Sequence, residues 1–216
     1  ALPISQHYKA DQADYAKSPL GRARPAFNPA LQALDAPLQR QVAVVFEPGS
    51  VLMVDRAARL AKEFSLKPIV CASGHEWRRP ELAKAAGASF IVPVNFPAAP
   101  KLPDEDDWAD VSLDQLRAWD FAPENPGLLR NQGIEIALTT YGLGEKKSFR
   151  KNLQLAIDRG LKEADALAAL TTIPARLCGV AAQLGTIEKG KLANLTVVRS
   201  EEHTSELQSR GLISYA

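Results

Sequence analysis

The sequence predicts an α/β protein built on a parallel sheet, and three observations carry that prediction. Short β-branched apolar runs recur from residue 42 onward. Each is followed by a segment with helical apolar spacing. The runs are continuously apolar and do not alternate, the pattern of strands covered on both faces. Strands joined by helices in this way call for right-handed crossovers in a parallel sheet. Four such units fit half of an eight-stranded barrel or a small open sheet, and pattern alone does not choose.

In chain order, "VAVVF" (42–46) is the first strand. Ser50 is placed to cap a helix running to about Phe64, with Val54, Ala57, Ala58, Ala61 and Phe64 on one face. "PIVCAS" (68–73) is the second strand. Pro80 opens the short helix "PELAKAA" and Gly87 closes it, the usual asymmetry of helix ends. "SFIVPV" (89–94) is the third strand, followed by the proline- and acid-rich "NFPAAPKLPDEDDWAD". Ser112 and Gln115 stand at capping-box spacing ahead of Leu113, Leu116 and Trp119. "IEIALTT" (134–140) is the fourth strand. Ser148 is then placed to cap a helix with Phe149, Leu153 and Ile157 inward and Gly160 as its stop. A last helix runs through "ADALAALT". Residues 1–40 read as a lead-in helix and loop, residues 41–183 as the main α/β unit, and 184–198 as a hairpin around a Gly-Lys turn.

Composition limits the function classes. The 216 residues are 46% hydrophobic and 24% charged with a formal net charge of +1. That balance offers no basic footprint for nucleic acid, and no apolar stretch approaches the roughly 20 residues of a membrane helix. Cys71 and Cys178 are solitary and set among apolar residues, the pattern of buried free thiols. Neither compartment nor substrate is legible.

"RSEEHTSELQS" (199–209) breaks the pattern. It resembles the in-frame translation of a DNA sequencing adapter over eleven consecutive residues, so 199–216 is set aside as foreign to the fold. His203 goes with it, which leaves His7 and His75.

The segment "GLKEADALAALTTIPARLCGVAAQLGTIEKGKLANLTVV" (160–198) resembles the carboxy-terminal signature of the amidohydrolase superfamily. Thr171, Pro174-Ala175, Leu177-Cys178-Gly179 and Gly185 to Ala193 follow in the superfamily's order. Upstream, residues 46–94 and 116–143 resemble its imidazolonepropionase-like branch. The resemblance implies the carboxy-terminal half, about strands five to eight, of a metal-dependent-hydrolase (β/α)₈ barrel, plus a hairpin of a small β-sandwich. It implies a lineage activity of hydrolysing non-peptide carbon–nitrogen bonds with a divalent metal such as zinc in active members. It also implies partners: the missing amino-terminal half of the barrel, and in some relatives a second amidohydrolase domain.

Barrel enzymes work at the carboxy ends of their strands. The resemblance places metal ligands at Phe46, at Ser73 (Cys71 under a shifted alignment), and at Tyr141 with Thr140 beside it. None is an imidazole or a carboxylate, so no metal ligand and no cofactor is assigned to this chain. The remaining catalytic candidates are His75, Glu76 and Glu47, with His75 as displaced ligand or general base and either glutamate as its partner. The competing reading makes His75 and Glu76 solvated loop residues at the barrel mouth, and with no second histidine nearby it is the stronger one. Asn95 could contact a ligand or simply make a turn. "YGLGEKKS" lacks the spacing of a phosphate loop. Trp108 and Trp119 read as packing residues, and Asp104 to Asp107 as a solvated loop. Two function classes follow: a metal-dependent hydrolase fragment, or a non-catalytic barrel acting as a structural or ligand-binding domain beside a catalytic one.

Overall fold

The computed structural model describes residues 2–100 and 111–195. Three helices come first: α1 (Leu2–Lys17), α2 (Pro29–Ala33) and α3 (Asp35–Leu38). The lead-in is therefore more helical than a helix and a loop. Asn28 caps α2 by accepting the Leu31 amide at 3.1 Å, and Pro29 occupies its first turn. The buried Ser5 hydroxyl donates to the Leu31 carbonyl at 2.9 Å, which fastens α1 to α2.

The α/β unit follows as β1 (Val44–Phe46), α4 (Val51–Glu63), β2 (Pro68–Cys71), a 3₁₀ turn (Glu76–Arg78), α5 (Pro80–Ala85), β3 (Ser89–Pro93), α6 (Leu113–Phe121), a 3₁₀ turn (Ala122–Glu124), α7 (Asn125–Asn131), β4 (Ile136–Thr139), a 3₁₀ turn (Lys146–Ser148), α8 (Phe149–Asp158), α9 (Glu163–Leu170) and α10 (Thr172–Leu177). The four strands form one sheet in the order β1-β2-β3-β4, with every neighbouring pair parallel. The parallel α/β expectation holds. The strands are shorter than the apolar runs. Val42 is exposed ahead of β1, because β1 is an edge with a partner on one side only. At the end of β2, the Ser73 amide is bonded to a side chain and not to the ladder.

Register sorts the side chains into two faces, since partners across a parallel ladder point the same way. Phe46, Val70, Phe90 and Ile136 lie in one row, and Val70, Phe90 and Ile136 belong to the core with Val54, Ala83, Leu129, Leu153 and Ala156 from the helices. Val45 and Ile69 pair on the opposite face, as do Cys71, Ile91 and Ala137. Ser50 caps α4 through Met53, and Ser112 and Gln115 form the anticipated capping box of α6. Leu113 and Trp119 are nevertheless exposed. Ser148 makes no side-chain cap, because it already has helical backbone angles as the end of the preceding 3₁₀ turn.

Cross-ties join the layers. Arg130 of α7 reaches Asp165 of α9 through Nε (3.0 Å) and Nη2 (2.6 Å) and donates through Nη1 to the Ile134 carbonyl ahead of β4. Asn152 of α8 donates to the Val94 carbonyl at 2.7 Å. Among the described residues, 184–195 contain no strand; a turn there brings the Leu192 amide to the Gln183 carbonyl at 2.9 Å. Residues 196–198 of the anticipated hairpin, the tail 199–216, Trp108 and Asp104 to Asp107 lie outside the described residues. No described helix is long and apolar enough to cross a membrane.

Candidate functional site

Two-residue alternation along each strand decides which side chains reach the cleft at the carboxy ends of the sheet. A space of about 550 Å³ lies there, and its lining includes Glu47, Cys71, Ser73, Asn95, Thr139 and Tyr141. These residues continue the face of Val45, Ile69 and Ile91, opposite the helical layer. Phe46 belongs to the helix-facing row. The side chain at the mouth of β1 is therefore Glu47, one residue beyond the position the resemblance indicates.

Each inward group has a distinct state. Glu47 is exposed, and Cys71 is half-buried. Burial pushes the Cys71 thiol pKa up, and the negative charge of Glu47 adds to the rise. The Ser73 hydroxyl is engaged, donating to Glu76 Oε1 at 2.8 Å and accepting the His75 amide at 3.3 Å. Thr139 Oγ1 accepts the Tyr141 amide at 3.2 Å, and the Tyr141 ring is 81% exposed. A Cβ on Gly142 would stand 2.8 Å from Asn95 Nδ2, so the loops after β3 and β4 meet at this glycine.

The sequence candidates separate. Glu47 lines the cleft; His75 and Glu76 do not. Glu76 is a correction to the solvated-loop reading: it is 0% exposed and accepts from Ser73 N, Ser73 Oγ, Gly74 N and Asn125 Nδ2. Nothing in "GHEW" signals this, because its most distant donor lies 49 residues downstream. His75 is half-buried, with its ring centroid 6.4 Å from that of Trp77, and its Nδ1 has no partner among the described residues. Trp77 in turn stacks on Phe121 at 5.2 Å, under the Arg78 guanidinium. Arg78 pairs with Asp114 at 2.8 Å and holds that carboxyl below the usual range, with smaller contributions from the charges of His75 and Arg117. The His75 surroundings thus pin α6 to the loop after β2. "YGLGEKKS" is largely exposed, with Lys147 paired to Glu145 at 3.2 Å.

A divalent metal needs several converging imidazole, carboxylate or thiolate donors. Of the inward side chains, Glu47 and Cys71 alone are of those types. Among the described residues no three of His, Cys, Asp and Glu come together where they could hold a metal ion. By themselves these residues do not fit the metal of the active hydrolases.

Comparison with solved structures finds the same fold in other proteins. An amidohydrolase from Thermotoga maritima MSB8 superposes with a TM-score of 0.60 at 19% identity, covering 89% of this chain and 48% of its own. A prolidase solved in complex with N-methylphosphonate-L-proline gives a TM-score of 0.51 at 17% identity, covering 74% of this chain and 39% of its own. The chain thus spans about half the length of the first of these structures. No curated protein matches it. The model of the Amidohydrolase family matches residues 32–211, most of the sequence, and by that match the chain belongs to the amidohydrolase family.

Proposed function

We propose that this chain is the carboxy-terminal half of an imidazolonepropionase-like barrel with an incomplete metal site, acting as a structural or ligand-binding domain beside a catalytic one. β1 to β4 are then strands five to eight of a (β/α)₈ barrel. The family's hydrolysis of non-peptide carbon–nitrogen bonds, with its divalent metal, is carried elsewhere in the complete protein. The observation that carries the reading is the identity of the side chains turned into the cleft: Glu47 and Cys71, then Ser73, Asn95, Thr139 and Tyr141, with no imidazole among them. What this chain contributes is a wall of hydroxyl, amide and carboxylate groups able to orient a small polar ligand.

The open edge of β1 supports the half-barrel reading. Val45 is 53% exposed on the face opposite the helices, where an amino-terminal half would cover it. Residues 184–198, of which the described 184–195 carry a turn and no strand, pair as a hairpin in this proposal only within a small β-sandwich of the complete protein. In this proposal residues 199–209 are translated adapter, and the tail to 216 is foreign with them.

A second reading has one observation in its favour. Glu47 and Cys71 sit at the ends of adjacent strands, near enough for the carboxylate to act on the thiol. With imidazoles supplied from outside this chain, they would be two ligands of a divalent metal. Cobalt titration of the full-length protein distinguishes the two. The proposal predicts no thiolate-to-cobalt absorption that disappears in Cys71→Ser; a band lost in that variant contradicts it.

A further inference from the structure

The loop after β2 holds a buried carboxylate that the site chemistry does not use. Glu76 Oε1 accepts from Ser73 N at 2.6 Å and Ser73 Oγ at 2.8 Å. Its Oε2 accepts from Gly74 N at 3.1 Å and Asn125 Nδ2 at 2.9 Å. An ionised carboxylate has about four acceptor positions, and here all four are filled. Glu76 is 0% exposed, Asn125 is 1% exposed, and among the described residues no Lys or Arg pairs with Glu76. The charge is held by hydrogen-bond donors alone. Three of these come from the consecutive residues Ser73 and Gly74, in the manner of an anion-binding backbone concavity.

We propose that Ser73, Gly74 and Asn125 form a carboxylate-binding site that the chain fills with its own Glu76, and that this internal ligand engages the hydroxyl proton of Ser73 where that residue lines the cleft. The donors are specific for a carboxylate. An amide in the same place would set its NH₂ group against N–H donors, leaving a buried donor unsatisfied. Asn125 places the clamp on α7, so the occupied site also ties the loop after β2 to the helical layer. The site takes a small monocarboxylate whenever the glutamate side chain is absent. The inference does not rest on the proposed function and holds whether or not the cleft carries metal.

The test is chemical rescue in the full-length chain. Glu76→Ala is unfolded by denaturant in sodium acetate, sodium chloride and acetamide at matched concentration, with the unsubstituted protein as control. At acetate ten times its dissociation constant, the folding equilibrium of Glu76→Ala rises about tenfold beyond the control. Acetamide and chloride give no such rise, and the added change Asn125→Ala weakens the acetate response. If Glu76→Ala does not fold unaided, refolding yield replaces the unfolding curve, and recovery in acetate alone supports the site. An acetate response equal to the control, a response shared by acetamide, or no recovery of a misfolded variant overturns the proposal.

Discussion

The thiol of Cys71 shows how one neighbour sets the chemistry of another. Its pKa is raised first by burial and then by the Glu47 carboxylate, so the neutral thiol persists to higher pH than in an exposed cysteine. Thiolate is the reactive form. A disulfide reagent at neutral pH is therefore expected to modify the exposed Cys178 first and Cys71 slowly. Glu47→Gln should move the onset of Cys71 reactivity to lower pH; an unchanged onset would show that burial alone sets it. Gly142 is governed by its backbone, with φ of +79°. Alanine there adopts the left-handed region at a cost of about 1–2 kcal/mol. The nearby Asn95 amide is exposed and can swing aside, so Gly142→Ala should lose about that much in a denaturant melt and little more.

At the scale of elements, α7 is the hub of the helical layer. Gly127 lets it approach the turn after α8, for a Cβ there would lie 2.9 Å from the Gly160 carbonyl carbon and 3.0 Å from Leu161 N. Alanine improves helix propensity by about 1 kcal/mol, but these neighbours are backbone and cannot rotate away. Overpacking of this kind costs about 1–3 kcal/mol and outweighs the propensity gain, so Gly127→Ala should destabilise by up to about 2 kcal/mol in equilibrium unfolding. Arg130→Ala leaves the Ile134 carbonyl and the Asp165 carboxylate short of donors and should cost about 1–2 kcal/mol by the same measurement. The strands and most helices were legible because continuous apolar runs and capping residues are local signals. Ser148 has the residue type of a cap but does not act as one, because a 3₁₀ turn, set by its bond to the Glu145 carbonyl, occupies that helix start. The buried state of Glu76 was illegible, since it depends on Asn125 in another element. Glu47 was visible as a candidate, but its inward aim followed only from the register that sends Phe46 to the helices.

For the whole molecule, the sheet has one face packed by helices and the other partly open at the carboxy ends of its strands. That asymmetry, the exposed β1 edge and the identities of the inward residues support the proposed barrel half, which shapes a cleft without completing a metal centre. The most direct measurement is the metal content of dialysed full-length protein beside its Glu47→Ala/Cys71→Ser variant. The account predicts equal metal per chain in both, whatever that amount is. A loss of about one equivalent in the variant would make Glu47 and Cys71 metal ligands and contradict it.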